Sequence, residues 1–366
     1  MQMSGVRLLS AFLGALLLSS GAAASTHPPE SGCAAFSQAG DLAEISIRSR
    51  ELTLRLFRPA SDSQPRVAVL KLGEEEWGCN LAFSSDDDLL AVATWTQAQQ
   101  MRVRLWELDT SKWVALDPHP PTGYAHNVEL LGFWMKTHDL VFSGTNGKAA
   151  SPRMAIYTQS PSGKLVENVE SPPAWVDLHG GFLWEQSPSG RSLSRSGLFS
   201  SARQDTHESV VLPTIQGASC WADGIVFPTP NFLVGASASG TGVVTVWASR
   251  PGAAKPDLTT IVAPQKKPLV KWSDVHVRIA SAPQGNLFAV DRQVTEWGLM
   301  DTIKARRDDI WIYSAEPLKL IAHVPPQGCG TLDAFALGSD RLAGEWCGKW
   351  QIEAVVPERN HGVGHP

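Results

Sequence analysis

Short apolar runs broken by polar turns fill almost the whole chain. The stretch "VRLWELDTSKW", Val103 to Trp113, alternates apolar residues with Arg104 and Glu107 and breaks at Asp109-Thr110. A period of two places every second side chain on one face, as a half-buried strand requires. Similar runs end in an aromatic residue at Phe57 ("LRLF"), Trp106 ("VRLW"), Tyr157 ("MAIY"), Trp247 ("VTVW") and Tyr313 ("IWIY"). Each of four of these is followed by a further short strand, read in "VAVLKL", "WVALD", "LTTIV" and "LKLIAHV".

The unit repeats. An aromatic or apolar lead, a polar turn and a small-apolar strand recur with leads at Phe36, Phe83, Phe133, Phe182, Phe227, Ile279 and Phe335, spaced 45 to 56 residues apart. Four short strands in a unit of this length match the period of a β-propeller blade. A single blade cannot bury both faces, whereas a ring of them makes a continuous core. The expected fold is therefore all-β, a seven-bladed β-propeller, with six or eight blades as alternatives. The fourth copy, around "SLSRSGLFSSARQDTHESVVLP", is the least regular.

The second copy, "LAFSSDDDLLAVAT" followed by "VRLWEL", resembles a blade of the tryptophan-aspartate (WD) repeat proteins and of their bacterial YVTN-type relatives. Trp106-Glu107 stands where those families have Trp-Asp. The Gly-His pair that commonly precedes the first WD strand is missing, and only isolated histidines (His126, His179, His276) occur nearby. The resemblance implies a divergent bacterial propeller.

The N-terminus follows another pattern. Arg7 precedes "LLSAFLGALLL" and the small residues "SSGAAAS". This predicts a secretory signal peptide over 1–24, cleaved near Ala24. A polar lead over 25–32, one propeller domain over 33–356 and a flexible tail over 357–366 complete the expected organisation. No other segment is apolar enough to span a bilayer, so the expected location is secreted or periplasmic.

Composition supports this reading: 31 Gly, 25 Pro and 14 Trp accompany only 18% charged residues. Strands and turns explain that mixture better than long helices do. Lys plus Arg number 31 against 36 Asp plus Glu, a net charge of −5. Without a positive field the chain is not expected to bind nucleic acid.

Cys33, Cys79, Cys220, Cys329 and Cys347 all follow the predicted signal, in a compartment where disulfides persist. A hairpin turning at Gly338-Ser339 would bring Cys347 close to Cys329. A latch from Cys33 to Cys329 is the alternative, and Cys220 is the expected unpaired thiol.

No motif for a metal, nucleotide or nucleophilic serine is found, so no cofactor, metal or catalytic residue is assigned. "DDD" at Asp86 to Asp88 reads as a solvated turn. Asp177 with His179, and Asp274 with His276, are acid–imidazole pairs two residues apart, a spacing that shares one strand face. They could bind at the mouth of the central channel, or serve a propeller lactonase-like hydrolase there. "DRQVTEWGLMDTIKARRDDIW" departs most from the repeat and reads as a long loop. Its Trp297, Met300, Arg306 and Arg307 are residue types enriched in interfaces. The reading is a binding or scaffold module for a protein or small-molecule ligand, with the hydrolase as the alternative.

Overall fold

The computed structural model describes residues 31–355, apart from 49, 59–63, 117, 135–137, 149–152, 173, 179, 188–190, 200–207, 214–223, 230–231, 240–242, 262–272, 284 and 299–301. The described residues form seven antiparallel sheets, each built from strands consecutive in sequence. This is a seven-bladed β-propeller, and among the described residues there is no helix.

Blade 1 comprises β1 (Ser31–Phe36), β2 (Leu42–Arg48), β3 (Glu51–Phe57) and β4 (Arg66–Lys71); blade 2 comprises β5 (Glu76–Phe83), β6 (Leu89–Thr96), β7 (Met101–Glu107) and β8 (Lys112–Leu116). Blade 3 runs through β9 (His126–Phe133), β10 (Leu140–Thr145), β11 (Met154–Gln159) and β12 (Leu165–Ser171). Blade 4 holds β13 (Ala174–Asp177), β14 (Phe182–Gln186), β15 (Ser192–Gly197) and β16 (Ser209–Val211). Blade 5 holds β17 (Gly224–Thr229), β18 (Phe232–Ala238), β19 (Val244–Ser249) and β20 (Asp257–Ile261). Blade 6 holds β21 (Ser273–Ser281), β22 (Leu287–Trp297), β23 (Ile303–Ala315) and β24 (Leu318–Val324). Blade 7 has three described strands: β25 (Leu332–Leu337), β26 (Arg341–Trp346) and β27 (Lys349–Ala354).

Burial follows position within the blade. Second strands are sandwiched between neighbouring sheets and read as nearly unbroken apolar runs: Leu90 to Ala93 and Leu140 to Phe142 are fully buried. A strand covered on both faces needs that composition. Third strands alternate, as Leu52, Leu54 and Leu56 do against exposed Glu51 and Arg55. Fourth strands form the rim and are mostly exposed.

Within blade 5 a large side chain on one strand needs a small residue opposite it, as in the cross-strand pair Gly235↔Trp247. Gly235 lies against the Trp247 indole, where a Cβ would come within 2.3 Å of ring carbon. This is one of the fully buried tryptophans that end the repeat's apolar runs.

Turns between first and second strands define the lower face, where they link adjacent blades. Asp87, at φ 59°, accepts the amides of Gln38 (3.1 Å) and Ala39 (2.8 Å) from blade 1. Asp86 meets His138 of blade 3 at 2.8 Å. The "DDD" turn is thus exposed but also ties its blade to both neighbours. Between blades 7 and 1, Arg341 donates to the Gly40 carbonyl at 2.6 Å. Phe36, Leu42, Ala336 and Ala343 pack beneath it. Among the described residues, this seam is joined by side-chain packing and the Arg341 bond.

Several expectations need correction. Phe182 opens the second strand of its blade; the first is the four-residue β13, too short to show a period. In blade 7, Phe335 faces Gly344, because the turn lies one residue later than Gly338-Ser339. The predicted loop around Trp297 is largely strand: β22 and β23 stay paired from Leu287↔Ser314 to Trp297↔Ile303. Alternating Val290, Arg292 and Val294 continue the strand period through the charges, which masked it in sequence.

Two disulfides are present. Cys329–Cys347 forms as the hairpin reading expected, across 18 residues. The latch to Cys329 does not: Cys33 pairs with Cys79, joining the inner strands of blades 1 and 2. Cys220 lies outside the described residues.

Candidate binding face

Inner strands begin at the upper face, which also carries the turns between second and third strands. There β22 and β23, 11 and 13 residues long, rise beyond the other second and third strands, which have five to eight. Because β21 also starts early, Asp274 stands opposite Thr295 and His276 opposite Gln293. Among the described residues, the resulting three-stranded projection is the longest strand excursion on this face.

Two sequence-predicted residues meet on it. The Trp297 indole N–H donates to Asp274 Oδ2 at 2.7 Å. This bond fastens the half-buried aromatic to the first strand of the same blade. His276, exposed, shares the Asp274 side of β21 by strand alternation. Arg307 is exposed near the root of the projection, and Ile303 at its top is 61% exposed. His179 and Met300 lie outside the described residues.

Below, the same side of the blade becomes a buried clamp that sequence reasoning missed. Arg278 on β21 donates through Nε to Asp291 Oδ2 (2.7 Å) and through its two terminal nitrogens to the carbonyls of Asp333 (2.9 Å) and Leu332 (2.7 Å). Asp308 on β23 accepts the Leu332 amide (3.0 Å) and the Gln293 side chain (3.0 Å), and its own amide bonds Gly330 O at 2.9 Å. Arg306 joins by donating to Leu332 O at 2.6 Å and pairing with Asp308 at 3.2 Å. Asp291 and Asp308 are fully buried. Burial pushes the Asp291 carboxyl up to about 7, against the opposing pull of Arg278.

Arg278, Arg306 and Asp308 converge on residues 330–333, the entry to blade 7, with Asp291 and Gln293 supporting them. One residue earlier, Cys329 is tied to Cys347, whose amide bonds Thr331 O at 3.0 Å. Arg306 is therefore a clamp residue, with its guanidinium committed to blade 7. The signal in sequence was polar residues at every second position, Asp291, Gln293, Thr295 and Arg306, Asp308, within otherwise strand-like runs.

Asp177 sits elsewhere. It ends β13 on the lower face, opposite Phe182, is 1% exposed, and accepts the Gly180 amide at 2.8 Å within its own turn. Asp177 and Asp274 thus stand at opposite ends of the channel.

Blade 2 adds a second polar–aromatic patch to the upper face. Arg104 reaches across to Glu76 in a two-pronged contact (2.6 and 2.8 Å), and Thr94 donates to the same carboxylate. Above them Trp77, 44% exposed, leans on Trp95 with ring centroids 6.2 Å apart. Among the described residues, one trio has side chains close enough to share a cation: Asp86, Asp88 and His138, on the lower face. Hydrogen bonds from Ser84 and His138 hold the Asp86 carboxyl down to about 2. Bonds to Ser84, His138 and the Asp88 amide already occupy its oxygens.

No protein-family model matches the chain, and no curated protein matches it. Solved structures with a similar course include the β-propeller domain of the Trilobed protease from Pyrococcus furiosus: TM-score 0.43, 11% identity, 87% of this chain and 95% of that one. A prolyl endopeptidase aligns at TM-score 0.48 and 12% identity, over 90% of this chain but 50% of its own. A putative 6-phosphogluconolactonase from Bacteroides uniformis aligns at TM-score 0.44 and 14% identity, over 89% and 92%.

Proposed function

We propose that this propeller is an exported, non-catalytic binding module that engages a protein partner through the upper face of blades 6 and 7. The observation that carries the reading is the three-stranded projection of blade 6, braced by Trp297–Asp274 and rooted in the buried clamp. Rigid scaffolds commonly place specificity on such an excursion. Trp297, Ile303, His276 and Arg307 offer it apolar, aromatic and charged contacts. Two disulfides and the signal-like N-terminal sequence support export to an oxidising compartment.

Binding is favoured over lactonase-like hydrolysis because Asp274 is held by the Trp297 indole, and Asp291 and Asp308 are buried against arginines and a backbone amide. Asp177 is enclosed in a turn at the other end of the channel. The test replaces residues 297–303 by a two-residue turn and measures partner recovery from the exported fraction by pull-down. Loss of a partner with unchanged melting temperature is expected. Undiminished recovery would overturn the proposal.

A further inference from the structure

The two disulfides sit in opposite environments. Cys33–Cys79 lies in the apolar cluster between blades 1 and 2, with Cys33 8% exposed and Cys79 partly buried. Cys329 and Cys347 are both exposed, on the upper face, where the link from blade 6 meets the turn between β26 and β27. Thiol–disulfide exchange requires a thiolate to reach a sulfur, so access already separates the two bonds.

The surroundings of Cys329–Cys347 also favour its opening. The Cys329 amide donates to Cys347 Sγ at 2.9 Å. The Thr331 hydroxyl donates to Cys329 Sγ at 2.6 Å, since a disulfide sulfur has no proton to give. Hydrogen bonds to sulfur stabilise the thiolate, and a sulfur that is more stable as a thiolate departs faster. Each sulfur therefore has a donor ready for the charge it would carry on leaving.

Opening of this bond reaches the buried clamp directly. Gly330 O accepts the Asp308 amide, the Leu332 amide donates to Asp308 Oδ2, and the Cys347 amide donates to Thr331 O. Cys347 holds φ 55°, beside Gly348 at 72°, a region disfavoured for any residue with a Cβ. The cross-link fixes this turn to residue 329, one position before the clamped segment. Without it the turn is free to relax, and the bond from Cys347 to Thr331 weakens with it.

We infer that Cys329–Cys347 is a redox modification site, opened by a dithiol, and that its opening loosens the entry to blade 7 and the root of the projection. A thiolate of the dithiol attacks Cys329 Sγ; the S–S bond breaks, and Cys347 leaves with the bonding pair and takes up a proton. The second dithiol sulfur, as a thiolate, attacks the first one in the mixed disulfide and releases Cys329, which is protonated in turn. Two electrons pass to the protein disulfide, the dithiol becomes a disulfide, and its two protons end on the cysteines. Loosening the root weakens partner binding, a consequence that rests on the proposed function; the redox site itself does not.

The test uses the full mature chain carrying Cys220→Ser, so that no fifth thiol enters the exchange. Dithiothreitol is added under native conditions, samples are alkylated with iodoacetamide, and labelled peptides are read by mass spectrometry. Cys329 and Cys347 should be labelled together, about tenfold or more faster than Cys33 and Cys79, with far-ultraviolet circular dichroism unchanged. Thr331→Val should slow that labelling about threefold or more, an effect that a purely structural threonine would not have. In the singly reduced protein, hydrogen exchange at the Leu332 and Cys347 amides should rise about tenfold or more, while exchange at Ala91 and Ala93 in blade 2 stays constant. Equal reduction of both disulfides, labelling indifferent to Thr331→Val, loss of secondary structure with the first reduction, or unchanged exchange at 332 and 347 would each overturn the inference. Partner recovery is measured in parallel on Cys329→Ser/Cys347→Ser. Undiminished recovery, from a chain that loses the partner when residues 297–303 are replaced, also overturns it. Recovery that survives the 297–303 replacement overturns the proposed function instead, and the labelling and exchange outcomes then decide the redox site.

Discussion

Glu44→Gln should stabilise the propeller at alkaline pH and leave it almost unchanged in acid. Glu44 lies in the middle of β2, only 4% exposed, on the side of blade 1 that faces blade 7. Burial raises its carboxyl from 4.5 to about 7, with the neighbouring Arg55 guanidinium pulling less strongly the other way. Across the seam, Glu345 places a second buried carboxylate against Gly32, where a Cβ would approach within 2.5 Å. An acid whose folded pKa is raised is most compatible with folding when protonated. Stability should therefore be highest below pH 4.5 as far as this group is concerned, decline from there to about 7, and level off above. At about 1.4 kcal/mol per unit, the shift corresponds to about 3 kcal/mol at pH 8.5, as an upper figure. Glutamine keeps the shape and carries no charge. Urea unfolding followed by tryptophan fluorescence should show Glu44→Gln more stable by about 2–3 kcal/mol at pH 8.5 and within about 0.5 kcal/mol of the parent at pH 4.5. Equal destabilisation at both pH values would refute the reasoning.

Three further outcomes follow from the packing. Asp308→Ala removes the buried acceptor of the Leu332 amide and of Gln293, and should cost about 3–5 kcal/mol in denaturant unfolding. A cost under about 1 kcal/mol would show that blade 7 is held by other means. Gly235→Ala places a methyl group into the Trp247 indole and should cost about 1–3 kcal/mol, with a shifted Trp247 emission as the local reporter. Replacing Cys33 and Cys79 together by alanine should cost about 4 kcal/mol, and Cys329 with Cys347 about 3 kcal/mol, since loops of 46 and 18 residues are released. A reversed order in calorimetry would indicate that clamping the entry to blade 7 outweighs loop closure.

The architecture was legible because its signals are local. Second strands need apolar runs on both faces, turns need Gly, Asp and Ser, and the two recur at a near-constant interval. The fourth blade resisted because β13 has four residues, and Phe182, taken as a lead, opens β14. Of the candidate site, Trp297 and Asp274 were both marked, but their contact depends on an extended register between β21 and β22. The clamp was invisible for the same reason. Arg278, Arg306 and Asp308 meet residues 330–333, and Asp291 holds Arg278, only through pairing across three strands and one blade boundary.

The central claim is that a partner engages the upper face at the blade 6 projection. Placing a photoreactive amino acid at position 303, at the top of the projection, tests it in the organism that makes the protein, with position 258 on the rim of blade 5 as control; the native side chains Ile303 and Leu258 are 61% and 57% exposed. The account predicts one discrete cross-linked adduct from position 303 and none from position 258. No adduct at 303, or the same adducts from both positions, would contradict it.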